Sequence, residues 1–588
     1  MSGKVIKQIP YGVSDFEKIQ KKESYYVDKT HFIRVLENLG DFLFLIRPRR
    51  FGKSLLLSML QSYYDIANKD QFEEVFKDTA ILDNPTDERN SYLILKLNFS
   101  EVNPGLDKVA DSFESCTNNS LNVFLRTYEQ YFEKDFLQSL YKHNYFADKF
   151  GYLSKYCSLK KLKLYILLDE YDNFANTILT SFGKEQYHDL THGPGFFRYF
   201  FNMLKAATTG SDAAVSRMFI TGVSPVTMDD VTSGFNIGTL VSLDSEVNEL
   251  LGLTEEEVRT MLKYYIAQGL IESDKEQFHY EIMSKWYDNY RFSKDSSDKR
   301  MFNTDMVLYY VRDIIKGRMP DNLVDRNVKT DYKKLRHFIM LDKKIKNIEE
   351  NNFSTLMKII ETEQIEERII DSFPVESLRD KDKFVSLLYY FGLLSIESSE
   401  LNTCLLKVPN LTIKSLYYEY FREALKDADM FEIPDGALVG LFKDMALKGQ
   451  WQQVFDYLAD QINKQTSIRD FLKEEKIIQG FLLAYLNMTS DVYIIQSEYE
   501  ANKHYTDLYF QPFIGKYGDE IKYSYLMELK YLKREANDSA IDPAVKEARE
   551  QLLNYEKDDI VQKTKGNTQL KKVLLVFKGW ELVAKEEV

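Results

Sequence analysis

The chain has 588 residues, 44% of them hydrophobic and 29% charged, with 77 Lys and Arg against 91 Asp and Glu for a formal charge of −14. At roughly 150 residues per domain this length predicts three or four folded units, and the composition excludes a disordered chain. The acidic balance excludes a protein that coats nucleic acid through a global positive field, and three scattered cysteines, Cys116, Cys157 and Cys404, exclude a disulfide framework or a Cys/His zinc site and fit a reducing cytosol.

No apolar run of signal-peptide length occurs from Met1 to Val13, and stretches such as Phe42 to Ile46 fall far short of the roughly 20 residues that span a bilayer. A cytoplasmic location is expected, with no membrane partner. Over residues 1–250, short apolar runs alternate with helical patterns, the rhythm of a parallel sheet with crossover helices. The strands are expected at Phe42 to Ile46, Leu93 to Asn98, Leu164 to Leu168 and Arg217 to Thr221, with helices over Lys53 to Tyr64 and Ala110 to Tyr131. After Leu250 the capping-box sequence Thr254-Glu255-Glu256-Glu257 opens a run of amphipathic helices. Residues 251–466 are expected to form a mostly helical middle region, with Phe384 to Pro409 reading as a helix followed by a two-stranded hairpin, as in a winged helix. From 467 to 588 the pattern returns to α/β. A helix is expected over Phe471 to Asn487, strands near Val492 to Ser497, Thr506 to Phe510 and Tyr523 to Tyr531, a helix over Pro543 to Tyr555 and a last strand over Lys572 to Phe577.

Arg47-Pro48-Arg49-Arg50-Phe51-Gly52-Lys53-Ser54 follows the first strand and opens a helix, the position a phosphate-binding loop requires. The main chain of Arg50, Phe51, Gly52, Lys53, Ser54 and Leu55 is expected to face the phosphates of ATP. Lys53 would reach the terminal phosphates, and the Ser54 hydroxyl would coordinate Mg2+. The usual pattern places glycine six residues before the lysine; here it is Arg47. With Arg49 and Arg50, Arg47 would steady phosphates, bridge subunits or form a solvated basic turn. Leu164-Tyr165-Ile166-Leu167-Leu168-Asp169-Glu170 supplies the second element, an apolar strand ending in two carboxylates. Asp169 would hold the Mg2+ through water and Glu170 would polarise the attacking water. A third strand ends in Thr221-Gly222-Val223-Ser224, where Thr221 or Ser224 would sense the γ-phosphate, although strand ends are often Thr, Gly or Ser for turn reasons alone.

Together with Tyr26-Val27-Asp28-Lys29-Thr30, Asp169-Glu170-Tyr171-Asp172 and Trp286-Tyr287-Asp288-Asn289-Tyr290-Arg291-Phe292, this loop resembles the bacterial AAA-ATPase-like proteins. The resemblance covers nearly the whole chain. It implies that an arginine at position 47 is usual, that glycine commonly stands where Asn289 is, and that a PD-(D/E)xK nuclease domain follows at the C-terminus. Nucleases of that kind need two carboxylates that share a divalent cation and a lysine that orients the attacking water. Asp507 lies in one expected strand and Glu528-Leu529-Lys530 in the next, and strand alternation puts Glu528 and Lys530 on one face. Other acid-x-Lys triplets, Glu474-x-Lys476, Asp331-x-Lys333 and Asp342-x-Lys344, fall in helical or loop contexts where residues two apart share no face. Glu475, on the preceding helix, would bring a third carboxylate to the metal, and Gln551 and Tyr555 match a Gln-xxx-Tyr element on one helix face. The family often has histidine where Gln479 stands.

These readings predict an α/β multidomain enzyme: a P-loop parallel-sheet ATPase domain, a helical middle and a C-terminal nuclease-like domain in which ATP hydrolysis gates Mg2+-dependent cleavage, with DNA as the substrate. The alternative is a nucleotide-controlled interaction switch whose nuclease-like fold only binds a partner. A homo-oligomer is left open, since no arginine finger stands out among Arg49, Arg50, Arg217 and Arg291.

Overall fold

The computed structural model describes residues 6–192, 195–210, 212–226, 237–295, 299–328, 352–427, 429–434, 436–465, 468, 475–489, 492–501, 504–555 and 559–588. The triplets at 331–333 and 342–344, and Glu474, lie outside the described residues. The chain divides into two compact units: residues 1–320, 324–342 and 364–410 form one, and 321–323, 343–363 and 411–588 the other.

In the first unit, β1 (Phe42–Ile46), β2 (Leu93–Asn98), β3 (Leu164–Asp169), β4 (Val215–Gly222) and β5 (Thr239–Leu240) make a parallel sheet in the order β2-β3-β4-β1-β5. β3 is buried at every position, as a strand covered on both faces must be. β4 lies between β1 and β3, so the loop after β1 and the carboxylates ending β3 flank the end of β4. Ligands of open α/β sheets bind in such crevices at the carboxyl ends of strands. The helix expected over Ala110 to Tyr131 runs Val109–Thr127 and tightens into a 3-10 turn at Glu129–Tyr131.

The middle region does not stand apart; it divides between the two units. Helices Glu255–Ala267, Glu276–Tyr287 and Thr304–Ile314 belong with the parallel sheet. The capping box forms as expected: Glu257 N–H donates to Thr254 Oγ1 at 3.2 Å, and Thr254 N–H donates to Glu257 Oε2 at 2.8 Å. The helix Lys381–Tyr390 and the hairpin that follows it are joined by a strand absent from the sequence reading, so β6 (Gln364–Glu367), β7 (Ser395–Glu400) and β8 (Thr403–Lys407) pair in the order β6-β8-β7. From Leu411 onward the chain joins the second unit, where the helix Leu411–Asp427 packs on the helix Glu475–Leu486.

The second unit is built on β9 (Tyr493–Ala501), β10 (His504–Pro512), β11 (Tyr523–Leu532), β12 (Gln569–Lys578) and β13 (Glu581–Glu587), in the order β13-β12-β11-β10-β9. β11 and β12 run parallel, connected through the helix Ile541–Tyr555; the other pairs are antiparallel. That helix covers one sheet face, with Ala544, Ala548 and Leu552 packed on Tyr509, Leu526, Leu574 and Val576. No helix of the described residues is long and apolar enough to cross a membrane.

Candidate functional site

In the first unit the loop after β1 begins with an anchor. Arg47 is 1% exposed; its guanidinium donates to the carbonyl oxygens of Ile46 at 3.1 Å, Ser242 at 2.5 Å and Val247 at 3.2 Å, and lies 4.3 Å over the Phe292 ring. Burial lowers its pKa to about 10. This corrects the expectation that Arg47 steadies phosphates, bridges subunits or sits in solvent: it is a structural cation under the loop. The chain then needs left-handed backbone at Arg50, with φ 70°, and at Gly52, with φ 102°, before the helix Lys53–Tyr64 starts. The Phe51 ring is buried against Tyr290 and Phe292, which leaves only its main chain to face a ligand.

Asp169 is the meeting point of three elements. Its Oδ2 accepts from Ser54 Oγ at 2.6 Å, and its Oδ1 accepts from Thr221 Oγ1 at 2.7 Å and from the Glu170 N–H at 3.0 Å. Lys53 is buried and donates to the carbonyls of Arg47 at 3.0 Å and Pro48 at 2.9 Å, and burial lowers its pKa. Glu170 has a φ of 50° and accepts from Asn173. Thr221 and Ser224 separate here, since the Thr221 hydroxyl reaches Asp169 whereas Ser224 is buried in a turn. The Ser224 N–H donates to Asp172 at 2.6 Å, its carbonyl accepts from Tyr171 at 2.7 Å, and its hydroxyl accepts from the Val226 N–H at 3.3 Å. Gly222 is forced by packing: a Cβ there would come 2.3 Å from the Tyr171 ring.

Two cavities adjoin the loop. One is lined by Arg49, Arg50, Gly52, Lys53, Ser54, Leu55, Glu170 and Asp305. The other is smaller and apolar, walled by Tyr25, Tyr26, Leu56, Met59, Leu251 and Met261, and shares Pro10, Val13, Gly52, Leu55, Thr304 and Leu308 with the first. Lys29 stands in its wall with Nζ held by Glu257 at 2.6 Å and 2.9 Å. The helix Thr304–Ile314 clasps the loop: Thr304 Oγ1 donates to the Phe51 carbonyl at 3.3 Å, the Asp305 N–H donates to the Arg50 carbonyl at 3.2 Å, and the Arg50 guanidinium lies 3.8 Å from Asp305. Sequence reading missed Asp305, although Asn303 ahead of it is a recognisable N-cap. The apolar cavity has no local signature, because its walls come from segments far apart in the chain.

In the second unit the register Leu508↔Met527 sets Asp507 across from Glu528. Leu526 and Leu532 face the Ile541–Tyr555 helix, so alternation puts Glu528 and Lys530 between them in an otherwise apolar row. Glu528 is 2% exposed. Its Oε1 lies 3.4 Å from Lys530 Nζ, and its Oε2 is buried without a hydrogen-bond partner. Asp507 Oδ2 accepts from the Leu529 N–H at 2.6 Å. Burial first, then the neighbouring Asp507, pushes the Glu528 carboxyl up to about 8, against the pull of Lys530. Lys530 also bonds Glu547 at 3.0 Å; this residue was missed in sequence, yet it lies one helical turn before Gln551, whose buried Oε1 also lacks a partner. Two converging carboxylates with an orphaned buried oxygen fit a divalent cation. Among the described residues no cluster of three His, Cys, Asp or Glu appears. Glu475 opens its helix, but its side chain, like that of Tyr555, lies outside the described residues.

Residues 10–232 match the predicted AAA-ATPase family, and residues 473–587 match the PD-(D/E)XK nuclease superfamily. The chain joins an AAA-ATPase-like domain to a PD-(D/E)XK nuclease superfamily domain. Over 292 residues, 49% of the chain, it is 27% identical to an uncharacterized protein in the vnfD 5′ region of Azotobacter chroococcum mcd 1, and it spans about half of that curated relative, 50%. The crystal structure of Cdc6p from Pyrobaculum aerophilum is 11% identical and aligns over 73% of this chain and 97% of that one, with a TM-score of 0.26. The Ser54–Asp169–Thr221 constellation therefore sits in the AAA-ATPase-like domain, and Asp507, Glu528 and Lys530 sit in the nuclease-superfamily domain.

Proposed function

We propose that the protein is a cytoplasmic enzyme that binds and hydrolyses ATP in its AAA-ATPase-like domain and cleaves DNA phosphodiesters with Mg2+ in its nuclease domain, the first activity controlling the second. The observation that carries the reading is the buried Glu528, with an oxygen that no hydrogen bond satisfies, beside Asp507 and Lys530. A buried carboxylate left this way costs stability unless it has a cation to hold.

In the ATPase half, Lys53 would exchange the carbonyls of Arg47 and Pro48 for the terminal phosphates, with the main chain of Arg50 to Leu55 around them. The apolar cavity would take the base. Ser54 and Asp169 would hold Mg2+, Thr221 would report the γ-phosphate through Asp169, and Glu170, in the wall of the larger cavity, would orient the attacking water. In the nuclease half, Asp507 and Glu528 would hold Mg2+, with Glu475 as a further carboxylate. When bound, that ion neutralises charge building on the phosphate and makes water a better nucleophile. Lys530 would orient the water, its second bond to Glu547 fixing its position, and Gln551 would contact the substrate phosphate from the covering helix.

Incubation of the full chain with linear and single-stranded DNA, with and without Mg2+ and ATP, tests the reading. Glu528→Ala is expected to reduce Mg2+-dependent cleavage by roughly a hundredfold or more, the scale for loss of a positioned catalytic group, while Lys53→Ala abolishes ATP binding. Wild-type protein that cleaves no DNA, with ATP-dependent behaviour surviving Glu528→Ala, would leave the interaction switch as the function.

A further inference from the structure

The chain has three tryptophans. Trp286 and Trp451 are buried at 4% and 1% exposure, whereas Trp580 is half-buried at the turn between β12 and β13. The guanidinium carbon of Arg534 lies 3.4 Å from the centre of the Trp580 ring. The turn is shaped for this approach. Gly579 has a φ of +60° and donates its N–H to the Leu532 carbonyl at 2.8 Å, and a Cβ there would come 3.3 Å from Arg534 Cβ, so glycine lets the arginine stem lie across the turn.

Arg534 is exposed, and no carboxylate pairs with it among the described residues, although Glu535 and Asp538 follow it in sequence and Glu581 follows Trp580. Asp538 is engaged instead by Lys578 at 2.5 Å. An accessible planar cation laid on an aromatic face has two unsatisfied capacities: its N–H groups suit a phosphate, and its flat surface suits an unpaired base. Its place in the fold supplies the third argument. The strand carrying Glu528 and Lys530 ends at Leu532, two residues before Arg534, so at ~3.3 Å per residue Arg534 lies at most about 13 Å along the chain from Lys530.

We propose that Arg534 and Trp580 form a docking platform for a single-stranded stretch of nucleic acid beside the scissile phosphate, so that the nuclease domain acts on substrates with unpaired ends or flaps. The proposal rests on the nuclease reading above. Single strands are favoured over duplex because base faces in a duplex are already stacked, whereas an unpaired base leaves a face open to the platform.

The test uses the full chain without divalent cation, which separates binding from cleavage. A roughly 20-nucleotide oligothymidylate and its duplex with oligodeoxyadenylate, each carrying a terminal dye, are titrated while dye anisotropy is read for every protein and tryptophan fluorescence for those that keep Trp580. The single strand is expected to quench Trp580 saturably and bind more tightly than the duplex. Arg534→Gln and Trp580→Ala should each weaken single-strand binding by at least about fivefold, with thermal melting unchanged, and Trp580→Tyr should retain most of it. Equal binding by the Arg534→Gln variant, no single-strand binding by the wild type, or a preference for duplex would each overturn the platform. If Arg534-dependent single-strand binding is present but no Mg2+-dependent cleavage follows, the platform stands and the catalytic reading falls.

Discussion

Asp288 is a buried carboxylate with one oxygen left unsatisfied. It is 7% exposed, its Oδ1 has no hydrogen-bond partner, and burial pushes its carboxyl up to about 6 against the pull of the Asn289 N–H. The unfolded chain releases that proton near 3.9. Between these values the folded state holds more protons than the unfolded one, so stability falls as pH rises through the window and the penalty is complete above about 6. Asp288→Asn is therefore expected to stabilise the first unit by on the order of 1–3 kcal/mol at about pH 7.5 and by little at about pH 4. Urea unfolding at the two pH values measures this, and an equal gain at both would mean that titration is not the cause. Single residues also mark how far the sequence could be read. That Ser54 and Asp169 would meet was legible because the loop of one and the carboxylate of the other each follow directly on an apolar strand run, and parallel strands of one sheet bring their ends to the same edge. The burial of Arg47 was not, because its partners Ser242 and Val247 stand 195 and 200 positions away. Asn289, where the family tends to have glycine, has a φ of 74°, a conformation that asparagine tolerates better than most residues, which reconciles the departure with the backbone.

At the scale of elements, the Glu255–Ala267 helix is fastened twice through one side chain. Glu257 closes the capping box with Thr254 and also holds Lys29 in the wall of the apolar cavity. Thr254→Ala is expected to cost about 1 kcal/mol, the usual loss of a cap. Glu257→Ala should cost about 2 kcal/mol or more, since it also leaves Lys29, 12% exposed, without its carboxylate. Chemical denaturation of the two variants compares the costs; equal losses would show that the Lys29 pair contributes nothing. Most strands legible in sequence were apolar, β1 to β4 and β9 to β12, whose hydrophobic runs announce burial, and β7 with β8 was legible as a hairpin following a helix. β13 escaped because Glu581-Leu582-Val583-Ala584-Lys585-Glu586-Glu587 is an edge strand with mostly half-exposed side chains, and its polar content reads as a tail. β6 escaped for the same reason: Gln364-Ile365-Glu366-Glu367 buries only Ile365 and is a strand because β8 pairs with it.

At the scale of the whole molecule, the two candidate sites lie in different compact units. A ligand that binds one folded unit stabilises that unit by mass action, about 2.7 kcal/mol at a hundredfold excess over its Kd. MgATP is therefore expected to raise the melting transition of the first unit in wild-type protein and to leave it unmoved in Lys53→Ala. Calorimetry reads this directly, and the same shift in both proteins would place ATP elsewhere. The helical middle was the least legible part of the chain. Amphipathic periodicity reveals that a helix buries one face but not which neighbour covers it, and residues 251–320 and 411–466 were covered by different ones.

Exchanging Arg47 for the glycine of the usual phosphate-loop pattern would be no repair. It would strip three carbonyls and the Phe292 ring of the cation they surround, while the loop's sharp bends at Arg50 and Gly52 would gain nothing from it. Any replacement for this arginine therefore has to come with new partners for the carbonyls of Ser242 and Val247, so position 47 and that distant segment can change only in concert.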